Sequence, residues 1–220
     1  MIFQIADVLT PDQVAEARAK LESEMAGFAS GKATAGWYVK DLKHNDQANG
    51  PAALQVIADV KQALLANTAF RSIARPKDFV KMLASRYQPG MAYGTHVDDA
   101  LMGGKRTDMS FTLFLADPAS YDGGELVVEG NDGDNALKLP AGALVLYPTT
   151  SLHRVNEVTR GERLAIVGWV RSFIRSQEQR DVLLDLDQVI AGLAGTAADR
   201  ATTDRIFKVR NVLTRMWAED

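Results

Sequence analysis

The sequence predicts a mainly β fold with flanking helices, an α+β arrangement with a jelly-roll core, and three observations carry that prediction. The stretch from Phe79 to Arg171 is a series of short segments rich in β-branched and aromatic residues, separated by turn signals, with no helical run between them. The residues before it, and those after Arg175, place apolar side chains at helical spacing instead. At 220 residues and 46% hydrophobic composition, the chain is long enough for one domain of ordinary size with a small appended unit. The expected division is a support region of helices and a strand over 1–78, the jelly-roll core over 79–175, and a C-terminal helical extension over 176–220.

Thr10-Pro11-Asp12-Gln13 reads as a helix start: Thr10 can cap, Pro11 suits the first helical position, and Gln13 can reach back to complete a capping box. Val14, Ala17, Leu21 and Met25 then form an apolar stripe. Small residues dominate Gly27 to Gly36, a short strand is expected at Trp37-Tyr38-Val39, and His44 to Pro51 is polar and loop-like. Leu54, Ile57, Val60, Leu64 and Leu65 predict a second helix, closed by Ala74-Arg75-Pro76-Lys77-Asp78.

Core strands are expected over 79–87, 110–115, 125–129, 136–139, 143–147, 153–157 and 163–171. Gln88-Pro89-Gly90, Tyr121-Asp122-Gly123-Gly124, Asn131-Asp132-Gly133-Asp134 and Pro140-Ala141-Gly142 punctuate them. Closely spaced strands without intervening helices argue for a sandwich or barrel over a parallel α/β sheet. Val182, Leu183, Leu186, Val189, Ile190 and Leu193 then mark one C-terminal helix, and Ile206, Val209, Leu213 and Met216 another, with the bend between Gly192 and Thr203. Their apolar stripe is expected to pack on the outer face of the barrel; a homodimer through these helices is the competing reading.

A net charge of -3 with interspersed signs gives no electrostatic footprint for nucleic acid, and no stretch is long and apolar enough to cross a bilayer. Met1 to Asp7 lack the basic and apolar regions of a secretory signal, so a cytoplasmic location is expected. The chain has no cysteine, which excludes disulfides, zinc-thiolate sites and iron-sulfur clusters and leaves histidine and carboxylate as the strong metal ligands.

His96-Val97-Asp98 is the central feature. In an extended segment residues two apart point to the same side, so both side chains can converge on one metal. Such a tripeptide alone is weak, and a polar surface loop ending Asp98-Asp99 explains it better; His153, on a later strand, supplies the missing support. Two histidines and one carboxylate form the facial triad that binds non-haem Fe(II) and leaves adjacent positions open. Arg163, which opens the next strand, reads alone as a surface arginine. Its place after His153 suggests a guanidinium near the metal pocket, where its planar fork suits bidentate capture of a dicarboxylate cosubstrate. Tyr87 is the better candidate for a carboxylate hydrogen bond, Tyr93 reads equally as a packing residue, and His44 is expected to be no ligand.

Taken together, the segment from Arg86 to Arg175 resembles the PKHD-type hydroxylases, a bacterial branch of the prolyl 4-hydroxylase-like oxygenases. The matching words are Arg86-Tyr87-Gln88, Tyr93-Gly94-x-His96-Val97-Asp98, Arg106-Thr107-Asp108, Thr112-Leu113-Phe114-Leu115-x-Asp117-Pro118, Ser120 through Val128, Leu139-Pro140-Ala141-Gly142, Leu144 through His153, and Val158-Thr159-Arg160-Gly161-x-Arg163. The resemblance implies a double-stranded β-helix core, Fe(II) at His96, Asp98 and His153, 2-oxoglutarate held by Arg163, ascorbate as reductant and a link to iron homeostasis. It further implies a dioxygenase that couples conversion of 2-oxoglutarate and O2 to succinate and CO2 with hydroxylation of a small-molecule or peptidyl substrate. Phe114 stands where many relatives of the wider group carry a tyrosine that helps hold the cosubstrate, which places more weight on Arg163. A non-catalytic protein that senses iron or 2-oxoglutarate on the same jelly roll is the alternative. The loops from Asp99 to Lys105 and from Asp117 to Tyr121 are expected to shape the substrate pocket.

Overall fold

The computed structural model describes residues 1–34, 36, 39–130, 133–193, 196 and 199–219. A strand β1 (Phe3–Ile5) precedes helix α1 (Pro11–Glu22), which begins at the expected capping box: Thr10 Oγ1 accepts from the Gln13 amide and Gln13 Oε1 accepts from the Thr10 amide. The helix buries Val14, Ala17 and Leu21. Met25 does not extend that stripe, because Ser23 leaves helical geometry and Met25 falls in an exposed 3-10 turn. After β2 (Phe28–Ser30) the expected strand at Trp37-Tyr38-Val39 falls largely outside the described residues; Val39 itself lies in a turn.

The polar stretch from His44, read above as a loop, instead holds two short strands, β3 (Lys43–His44) and β4 (Asp46–Ala48), and its Pro51 opens helix α2 (Pro51–Ala66). Those strands escape detection because their inward side chains are polar, with Lys43, Asn45 and Gln47 all buried. Helix α2 buries Ala52, Ala53, Val56, Val60 and Leu64, while Leu54 and Leu65 face outward. A separate helix α3 (Thr68–Ala74), capped by the Asn67 side chain, precedes the long strand β5 (Pro76–Tyr87).

The remaining strands are β6 (Ala92–His96), β7 (Leu101–Met102), β8 (Lys105–Arg106), β9 (Met109–Phe114), β10 (Asp122–Gly123), β11 (Leu126–Gly130), β12 (Gly133–Leu137), β13 (Leu144–Pro148), β14 (His153–Val155), β15 (Val158–Arg160) and β16 (Arg163–Ser172). They build a major sheet of order β1-β13-β9-β16-β5-β4-β2 and a minor sheet of order β12-β11-β14-β6-β3, with antiparallel pairing. Side-chain alternation divides the major sheet. Leu113, Leu144, Leu146 and Ile166 pack against the helices, with Val56, Val60, Leu64 and Phe70. Phe114, Val145 and Tyr147 face the other way and meet Leu126, Val128 and Leu137 of the minor sheet. Burial on both faces explains why all of β9 is sequestered. This is the expected jelly roll, with two antiparallel sheets face to face and the N-terminal helices on the outside of one.

Helix α4 (Gln177–Leu193) buries Leu183 and Arg180, whose guanidinium donates to the carbonyls of Ile174 and Arg175. Helix α5 (Arg200–Trp217) rests on α4 and has no buried residue. The expectation that both helices bury their stripe on the barrel is therefore corrected. Ile206 and Leu213 are half-buried, whereas Val209 and Met216 are exposed. Asp187 ties the pair to the core by accepting from Arg75 at 2.6 Å and from Arg210 at 2.9 Å.

Candidate active site

Strands β6 and β14 pair so that His96 lies directly opposite His153. Their ring centroids are 4.2 Å apart, and Asp98, two residues beyond His96, places Oδ1 3.7 Å from His96 Nε2 and Oδ2 3.7 Å from His153 Nε2. One ligand atom from each of the three falls within 4.8 Å of the others. Backbone carbonyls set the tautomers: His96 Nδ1 is 2.9 Å from Gly94 O and His153 Nδ1 is 3.1 Å from Ser151 O, so each Nδ1 carries the proton and each Nε2 lone pair faces the centre. Ser110 donates to Asp98 at 2.7 Å, with the Thr149 hydroxyl 3.2 Å behind it, and this holds the carboxylate in position. Burial, reinforced by the neighbouring His153, pulls the pKa of His96 down to about 4, which keeps it neutral and able to coordinate at pH 7. The donor set of two imidazoles and one carboxylate on one side of a cavity suits Fe(II) with open positions.

Arg163 begins β16 opposite Tyr87 of β5. It is 1% exposed, and none of its three guanidinium nitrogens has a hydrogen-bond partner. The guanidinium lies 5.2 Å from the Tyr87 ring centre and 5.5 Å from that of Phe114. A buried charge without a partner is costly, and a carboxylate that enters the cavity would relieve it. Gly124 makes room for it: a Cβ there would stand 3.2 Å from Arg163 Cδ and 2.9 Å from Val158 Cγ2, at a φ of +67° that disfavours any side chain. Burial raises the pKa of the Tyr87 phenol, against the pull of Arg163, and keeps it neutral.

Triad and guanidinium open onto one cavity of about 360 Å³ between the sheets. Tyr93, also on its wall, stacks on His96 with centroids 3.7 Å apart. His44 sits on an exposed strand position away from the cluster. The sequence reading missed Tyr147, a buried phenol 5.1 Å from the His153 ring whose pKa burial, and then Asp98, raise well above the usual range. It likewise missed Ser110 and Thr112. Their signal was present, since polar residues alternate in the otherwise apolar run Met109–Phe114. Of the two loops expected at the pocket, Asp99, Leu101, Met102 and Gly103 do line it, but no residue from Asp117 to Tyr121 does; that segment packs against the β15–β16 turn instead.

Fold and site together define an oxygenase that uses iron and 2-oxoglutarate: the model of the 2OG-Fe(II) oxygenase superfamily matches residues 82–171, which contain the triad and Arg163. A crystal structure of a Pseudomonas putida prolyl-4-hydroxylase aligns with 78% of this chain and 92% of its own, at a TM-score of 0.55 and 26% identity. A PKHD-type hydroxylase of Maricaulis maris is 47% identical over the full length of both chains, and one of Parvibaculum lavamentivorans is 51% identical over 88% of each. The chain belongs to the PKHD-type hydroxylases, a family of 2-oxoglutarate-dependent dioxygenases.

Proposed function

We propose that this dioxygenase holds Fe(II) through Nε2 of His96 and His153 and the carboxylate of Asp98. In the same reading Arg163 clamps the distal carboxylate of 2-oxoglutarate with Tyr87 beside it, and ascorbate serves as the reductant. The observation that carries this reading is the buried, unpartnered Arg163 guanidinium in the cavity that the triad also faces. When bound, iron and 2-oxoglutarate supply oxidative decarboxylation to succinate and CO2 coupled to hydroxylation of a substrate C–H bond. The chain's residues prepare that step. Gly94 and Ser151 carbonyls aim the imidazoles, Ser110 orients Asp98, and Arg163 fixes the far end of the cosubstrate. Tyr87, Phe114 and Tyr147 close the pocket against water. A degenerate sensing module would have no need of all four groups at once.

The test is anaerobic titration of Fe(II) and 2-oxoglutarate, which should produce a weak visible charge-transfer band in the wild type and none in His96→Ala or His153→Ala. Arg163→Met should raise the 2-oxoglutarate concentration required by roughly thirtyfold or more, because stranding one member of a buried charge pair costs about 2–5 kcal/mol. Its Fe(II) affinity should stay unchanged. A band that persists in both histidine variants removes the ligand assignment. Succinate formation without added substrate, prolonged by ascorbate, separates the enzyme from a sensor.

A further inference from the structure

Beside the triad and Arg163, the cavity wall carries two further cations. Lys43 enters from β3 on the minor sheet and the exposed Lys81 from β5 on the major sheet, and both line the cavity. Lys43 is buried, yet its ammonium is matched by a hydroxyl and a ring: it donates to Thr34 Oγ1 at 2.8 Å and lies 5.3 Å from the Tyr93 ring centre. Burial first, and then repulsion by Lys81, pull its pKa down to about 8, so the two ammoniums sense each other and Lys43 still carries charge at pH 7. Neither lysine has an ion-pair partner among the described residues. Beside Lys81, its register partner Trp169 presents a buried indole Nε1 that has no acceptor.

Charge accounting gives these groups a purpose. With iron and 2-oxoglutarate in place, the dication and Arg163 are balanced by Asp98 and the two carboxylates of the cosubstrate. Lys43 and Lys81 remain, and the only further acid lining the cavity among the described residues is the exposed Asp99. Lys43 is buried and a buried cation left without a counter-charge is expensive, whereas Lys81 is exposed and adds its charge from solvent; an incoming anion relieves the first and is drawn by the second. We propose that Lys43, Lys81 and the Trp169 indole N–H form a substrate subsite for a carboxylate or phosphate group, so that the molecule hydroxylated here is an anion. Apart from Asp98 and Asp99, the segment from Val97 to Met102 that lines the cavity offers exposed apolar side chains. Val97 is 47% and Leu101 64% exposed, and Met102 lies beside them, so the substrate joins an apolar body to its acidic group. That the bound molecule is the one hydroxylated rests on the iron and 2-oxoglutarate reading above; the anion subsite itself does not.

Calorimetric titration of the metal-free protein with hippurate, phenyl phosphate and the neutral hippuramide tests the subsite. At least one anion should bind about tenfold or more tightly than hippuramide, and whichever of the two is tighter identifies the group. A Lys43→Met/Lys81→Met double variant should bring both anions to the hippuramide level while its 2-oxoglutarate affinity, measured with Mn(II), stays within about twofold of wild type. Arg163→Met should do the reverse, weakening 2-oxoglutarate and leaving the anion preference intact. The proposal is overturned if hippuramide binds as well as both anions. It is equally overturned if anion binding survives the lysine substitutions and disappears with Arg163, since the anions would then occupy the cosubstrate pocket. Failure of 2-oxoglutarate to bind the wild type, with the anion preference present, would strike the cosubstrate assignment alone. Methionine keeps the apolar stems of both lysines, and an unchanged melting temperature verifies that the variant is folded.

Discussion

Burial governs His96, and its consequence is measurable in the metal-free protein. Unfolded, the imidazole titrates near 6.5; folded, it titrates at about 4. Between those values the unfolded chain binds the extra proton and the folded one does not. The contribution to stability is therefore fully present above pH 6.5 and is lost as the pH falls toward 4. Urea midpoints measured from pH 4 to 7 should fall steeply in that window for the wild type and much less for His96→Asn. Identical slopes would assign the loss to other groups. Single residues were also where sequence reading was most uneven. His96, Asp98, His153 and Arg163 stand out because their types and order carry chemistry, and the structure brings the first three within one coordination sphere's reach. Tyr147, Lys43 and Trp169 do not stand out, because a phenol, an ammonium or an indole gains meaning only from what surrounds it.

The turn between β15 and β16 shows what one element contributes to the site. Gly161 sits there at a φ of +74°, and a Cβ would come 2.2 Å from the Ser120 carbonyl oxygen and 2.9 Å from Tyr121 Cα, both parts of the backbone. Gly103, at the tip of the β7–β8 hairpin, has a φ of +56° and nothing within 4 Å. Gly103→Ala should therefore cost only the left-handed penalty, about 1–2 kcal/mol. Gly161→Ala should add an overpacking cost of about 1–3 kcal/mol and shift Arg163, which follows two residues later. Denaturant midpoints of the two variants check this, and equal losses would mean that the backbone around Ser120 yields freely. Long strands such as β5 and β16 were legible because a continuous apolar pattern needs no partner to be recognised. The short strands β2, β3, β4 and β6 were not, because their pairing depends on neighbours distant in sequence and their inward faces are partly polar.

For the whole molecule, binding at the triad should be read out as stability. A ligand that binds only the folded state at a hundredfold above its Kd contributes about 2.7 kcal/mol, and in a domain of this size that corresponds to a rise in melting temperature of roughly 5–10 °C. Mn(II) with 2-oxoglutarate should raise the Tm of the wild type by about that amount, and a chelator should reverse it. Asp98→Ala should show no shift; a shift equal to wild type would place the metal elsewhere. The C-terminal helices follow a different logic. They are attached through Leu183, Arg180, the Asp187 ion pairs and the Arg106–Glu219 pair just beyond α5, with α5 packed on α4.

The sequence by itself determined the fold class, the long strands, the α1 capping box and the four residues whose chemistry points to iron and a dicarboxylate. Those features depend on residue type and short-range spacing, which a linear chain displays. Tertiary structure decided the rest. It showed that Arg163 is buried without a partner, that Ser110 braces Asp98, and that Lys43 and Lys81 line one cavity from opposite sheets. The reason is physical: an unpaired charge, a second hydrogen bond or a converging pair is a property of the space between elements, and that space exists only after the two sheets have closed on each other.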